Sequence, residues 1–144
     1  MNPYTRLRDD DGFSALETAL LAPVVLLMIV ALIYVSRTAS VAASIEGAAY
    51  AGARAASLER TAGPASAAAS KAAQASLDSA GISCTPTVQA DTAGFSAAVG
   101  VQSQVRVHIA CQISYTDLGV PGVPGARTMT AQALSPIDAY RSRS

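Results

Sequence analysis

The chain has 144 residues, with ten basic against ten acidic groups and only 14% charged side chains. Its apolar share is 51%, yet aromatics make up 5% and tryptophan is absent, so any core is built largely from alanine, which buries little of the area worth ~25 cal/mol per Å2. A neutral chain without a basic patch excludes a nucleic-acid binder, and two cysteines with one histidine make no metal site of recognisable zinc spacing.

Residues 1–12 carry Arg6 and Arg8 against Asp9, Asp10 and Asp11. Next comes Gly12-Phe13-Ser14-Ala15-Leu16-Glu17, and Glu17 is the last charge before Arg37. At ~1.5 Å per residue the uncharged run from Thr18 to Ser36 spans ~28 Å, close to the ~30 Å of hydrocarbon in a bilayer. Residues 13–37 therefore read as a transmembrane helix. The run exceeds the roughly 7–15-residue core of a secretory signal, and no small-residue cleavage site stands between it and Arg37. Two readings remain: an anchor kept whole, or a helix freed by cleavage ahead of the apolar run. Arg6 and Arg8 favour a cytoplasmic N-terminus, whereas Arg37 pulls the other way.

Glu17 and Pro23 stand out within this segment. A charged side chain costs on the order of 2.5–3.5 kcal/mol at the bilayer centre and less near an interface. Glu17 is thus either used or sheltered, the plainer alternative being a glutamate that snorkels to the headgroups. Pro23 removes one helical hydrogen bond and kinks the helix.

Residues 38–62 lack proline, and Val41, Ile45, Ala48, Gly52 and Ala55 recur at spacings of three and four, which continues the helix beyond the membrane. Ala48 and Gly52 form a small-xxx-small pair that permits close helix approach. That stripe fits either packing under the chain's own domain or a surface between protomers. Residues 63–82 read as a second, Ala-rich helix, with Pro64 in its first turn and Gly81 as its stop. Leu77 is its single large apolar residue, and a flexible linker is the alternative.

From Cys84 the period changes to two. Between Val101 and Tyr115 the odd positions are mostly apolar and the even ones mostly polar, the pattern of a half-buried strand. Thr87–Thr92 and Thr128–Leu134 are shorter strand candidates, the latter with Met129, Ala131 and Ala133 on one face. Gly94–Gly100 reads as a turn or short edge strand, and Gly119–Gly125 as a loop with Pro-Gly turns. Residues 83–144 thus form a small antiparallel sheet of three or four strands with a disordered C-terminal tail, and the helices cover its apolar face. The fold class is α+β. In an oxidising compartment Cys84 and Cys111 pair, closing a loop worth roughly 3–4 kcal/mol in the chain-entropy model; two buried thiols are the alternative. Such a disulfide favours an exported head.

No cofactor is implied and no enzyme is expected. His108 falls on the polar face of the long strand beside Arg106. The sequence carries no G-x-S-x-G, P-loop or G-x-G-x-x-G motif in its required context.

Four features resemble the TadE-like family, the pseudopilins of the tight adherence (Tad, Flp-type) pilus machinery. They are Gly12 with Glu17, Pro23, the arginine closing the apolar run, and the alanine-rich segment around Arg54. Together they cover roughly residues 12–57. The cysteine pair and the closing segments from Asp117 and Ser135 match more loosely. The resemblance implies a minor pilin or pseudopilin whose leader, residues 1–12, is removed by a prepilin peptidase between Gly12 and Phe13. It implies that Glu17 is read during assembly and neutralised by the new amine of Phe13, and that Pro23 lets the helix bend on leaving the bilayer. The implied partners are other pilins, the Tad inner-membrane platform and the lipid bilayer, and the implied location is a single-pass protein with an extracytoplasmic head. An unprocessed single-pass anchor whose head binds an envelope partner is the alternative. A secreted ligand-binding domain needs a cleavage site after the apolar run, and none is visible.

Overall fold

In a computed structural model the elements run α1 (Asp10–Ser57), α2 (Ala62–Ser79), β1 (Thr87–Asp91), a 3-10 turn (Ala93–Ser96), β2 (Ser103–Ser114) and β3 (Ala126–Ile137). The structure describes residues 10–119 and 122–140, with side chains from Glu17 onward. Most of the expected leader, Val120 and Pro121 of the loop, and the tail residues 141–144 lie outside the described residues. The chain divides after Ser36 into two units.

The first unit is the apolar part of α1. Its side chains are exposed from Glu17 to Ile33, Leu20, Leu27 and Met28 among them. α1 supplies one segment long and apolar enough to cross a membrane.

The second unit, from Arg37 onward, is an α+β head. Its sheet has the order β1-β2-β3, antiparallel throughout. β2 lies at the centre, with Val88 opposite Ile109 on one side and Ala131 opposite Ile109 on the other. The period-two pattern of β2 is realised residue by residue. Val105, Val107, Ile109, Cys111 and Ile113 are buried, while Gln104, Arg106, His108 and Gln112 are exposed.

The C-terminal part of α1 and all of α2 supply the other layer. α2 buries Ala65, Ala69, Ala73 and Leu77, a row at every fourth residue that presents almost flat backbone. Gly52 of α1 sits against it. A Cβ there would stand 3.0 Å from the Ala69 carbonyl oxygen, 3.4 Å from Val107 Cγ1 and 3.6 Å from Ala73 Cβ. The two helices and the sheet therefore meet at Gly52, and the Ala48/Gly52 pair is used inside the head. α2 ends in a Schellman arrangement, the N–H of Ile82 donating to Leu77 O and that of Gly81 to Asp78 O, with Gly81 at φ +69°, the left-handed conformation that glycine adopts without strain.

Several boundaries differ from the sequence expectation, each for a local reason. The segment after β1 forms a 3-10 turn that buries Phe95. Gly94 allows it to press on β2, since a Cβ there would overlap the Gln104 carbonyl oxygen. The sheet consequently has three strands. β2 starts at Ser103, because Val101 donates its N–H to Ala98 O in a preceding turn and stays exposed. β3 extends past Leu134 through Pro136, a residue tolerated because β3 is an edge strand. Its Ser135 hydroxyl donates to Ser57 Oγ of α1 at 2.9 Å, and Ser57 Oγ donates to Arg54 O at 2.9 Å. Both serines are 5% exposed, so this chain of bonds satisfies the buried polar groups that link α1 to β3.

Candidate functional site

Because the chain has two units, the residues singled out by sequence fall into separate groups. In the apolar unit, the Gly12–Phe13 bond lies in the first turn of α1. Glu17 is exposed and precedes the uncharged run Thr18–Ser36. Pro23 lies inside α1, where it offers no N–H to the carbonyl of Ala19, one turn earlier. An exposed carboxylate followed by a run of exposed leucine, valine, isoleucine and methionine is unsuited to water. Such a surface is compatible with lipid or neighbouring apolar helices around it.

In the head, Cys84 and Cys111 are joined by a disulfide with Cα atoms 6.0 Å apart and 27 residues of sequence separation. Cys84 follows the end of α2, and Cys111 is fully buried in the centre of β2. The bond thus fastens the α2-to-β1 connection to the sheet. His108 is exposed on the outer face of β2, opposite Gln89 and Gln132. Among the described residues no group of three or more His, Cys, Asp and Glu could hold a metal ion.

Two concavities of the head escape a sequence reading. One is an open groove of about 900 Å3 between α1 and the edge strand β3, lined by Glu46, Gly47, Tyr50, Thr130 and Gln132 among others. The other, of about 390 Å3, brings Arg37 together with Asp117 and the C-terminal end of α2. The arginine was visible as the charge closing the apolar run, and Asp117 as a residue at a loop boundary. Their proximity depends on how the β2–β3 loop folds back, for which the sequence carries no signal.

Comparison with known families adds the decisive observation: residues 12–54 match the model of the TadE-like protein family. That segment is similar to the TadE-like family. The match takes in Gly12, Phe13, Glu17, Pro23 and Arg37, and ends at Arg54 just before the C-terminus of α1. The TadE-like segment thus contains nearly all of α1 and none of the sheet. Comparison with curated proteins and with solved structures gives no significant match. Within the matched segment Glu17 is the one charged group between residues 17 and 36.

Proposed function

We infer that the chain is a minor pilin or pseudopilin of a Tad (Flp-type) type IV pilus, acting by assembly and not by turnover. The observation that carries this reading is the TadE-like match over residues 12–54, which includes a helical run whose apolar side chains are exposed from Leu20 to Ile33. A prepilin peptidase cleaves between Gly12 and Phe13, leaving residues 1–12 in the cytoplasm. Residues 13–37 then hold the protein in the membrane as a single pass, and residues 38–144 form the extracytoplasmic head. Glu17 pairs with the amine of Phe13, in its own chain or in a neighbour's, which lowers the cost of a carboxylate beside lipid. Pro23 supplies the bend that lets the helix leave the bilayer. The partners are other pilins and the Tad inner-membrane platform, and the outcome is pilus assembly and adhesion.

The head supports a minor role because a thin pilus built mainly from helices has little room for a sheet domain on every subunit. A Glu17→Ala change tests the reading in cells. The protein should accumulate to normal levels while pili are lost. Unchanged piliation and surface attachment with Glu17→Ala would instead identify an unprocessed anchor whose head binds an envelope partner.

A further inference from the structure

Arg37 and Asp117 line the same cavity of about 390 Å3, together with Ser40, Ser83 and the Ala80–Gly81 end of α2. Both side chains are exposed, and among the described residues neither takes part in an ion pair. Two opposite charges on the walls of one cleft, not bonded to each other, leave space for a ligand that carries both charges.

The two charges offer different chemistry. Arg37 presents a planar fork of donors, the geometry that suits a phosphate. Asp117 contributes a carboxylate on a backbone that is tied down. The N–H of Asp117 donates to Ser114 Oγ at 3.2 Å, that of Leu118 donates to Ser114 O, and the Leu118 side chain is fully buried. A primary ammonium fits this carboxylate.

Position in the chain narrows the source. Arg37 directly follows the uncharged run Thr18–Ser36, so on the membrane reading of that run its guanidinium stands at headgroup level, and the cleft volume is at the small end of ligand sites. We propose that the Arg37–Asp117 cleft binds the phosphoethanolamine headgroup of a membrane lipid, phosphate on Arg37 and ammonium on Asp117. The proposal rests on the membrane reading of α1. Arginine at a helix end attracts any anionic headgroup. The discrimination comes from Asp117, which repels a headgroup that has a phosphate and no ammonium.

The test uses the full chain in phosphatidylcholine nanodiscs doped with equal amounts of phosphatidylethanolamine and phosphatidylglycerol. Native mass spectrometry after release counts the lipids that stay bound. Phosphatidylethanolamine should be retained at least fivefold over phosphatidylglycerol. Asp117→Asn should bring the ethanolamine-to-glycerol ratio to about one, while Arg37→Gln should lower retention of both lipids. Equal retention of phosphatidylethanolamine and phosphatidylglycerol by the unaltered chain, or a preference that survives Asp117→Asn, would overturn the proposal. Both side chains lie outside the core, and far-ultraviolet circular dichroism checks that the variants keep the fold. Alkaline carbonate extraction of membranes separates the two levels of inference. A released chain overturns the membrane reading and the headgroup site with it; a retained chain without lipid preference overturns the site alone.

Discussion

Two glycines on the same helix of the head should respond in opposite directions to the same substitution. Gly47 is exposed, and a Cβ built there meets nothing within 4 Å. Replacing it with alanine therefore expresses only the backbone preference of a helix interior, a gain of about 0.8–1 kcal/mol. Gly52 carries the same intrinsic penalty, but a Cβ there would meet both α2 and β2. A methyl group there lies 3.0 Å from a backbone carbonyl of α2 and 3.4 Å from Val107. Neither neighbour is the free end of a flexible side chain, so α2 must shift by a few tenths of an ångström. Overpacking of this kind costs about 1–3 kcal/mol, which outweighs the helical gain and leaves Gly52→Ala less stable than the parent by roughly 1 kcal/mol.

The two variants should thus differ by about 2 kcal/mol, or on the order of 8–16 °C in Tm for a domain of this size. Thermal unfolding of the full chain in micelles, followed by circular dichroism, measures that difference directly. If Gly52→Ala gained as much as Gly47→Ala, α1 and α2 would not approach each other at this point, and the layered packing described above would be wrong.

Other perturbations probe the remaining ties of the head. Replacing both cysteines by alanine, Cys84→Ala with Cys111→Ala, should cost about 3.5 kcal/mol in the chain-entropy model for a loop of this size; denaturant unfolding that shows less than ~1 kcal/mol would mean that the bond constrains little. Ser135→Ala should cost about 1 kcal/mol, the net worth of one hydrogen bond, because Ser57 keeps its bond to Arg54 O. Ser57→Ala should cost more, about 1–3 kcal/mol, because it leaves the buried Ser135 hydroxyl without its acceptor. Equal losses for the two serines would contradict the direction assigned to this chain of bonds.

Much of the head was legible where a single periodicity governs burial. β2 alternates because one face meets helices and the other meets water, so Val105 to Ile113 could be read directly. α1 was harder. The stripe Val41, Ile45, Ala48 and Gly52 is buried as its spacing implies, but Ala49, Ala53 and Ala56 are buried too, and Ala55 remains partly exposed. Two layers touch this helix, which widens its buried arc beyond one stripe, and alanine gives no polarity contrast to mark the edge. Seven of the buried apolar residues are alanines of α1 and α2, so the helices gain contact through backbone proximity more than through side-chain area.

The rest depended on tertiary geometry. Gly94 looked like one residue of a turn, and its close approach to Gln104 became visible only with β2 in place. The strand expected over Thr128–Leu134 runs on through Pro136 to Ile137, which an edge strand accommodates. For the candidate site, Gly12, Glu17 and Pro23 were found because a local pattern surrounds each one. The meeting of Arg37 and Asp117 joins residues 80 positions apart through a loop, and only the structure supplies it.

The central claim, a pilin-like chain released for assembly by cleavage ahead of its apolar helix, is tested most directly by the intact mass and N-terminal sequence of the protein from its native membranes. A mature chain beginning at Phe13 is the expected result. A chain that retains residues 1–12 in cells with an active prepilin peptidase would contradict it and leave a membrane anchor in its place.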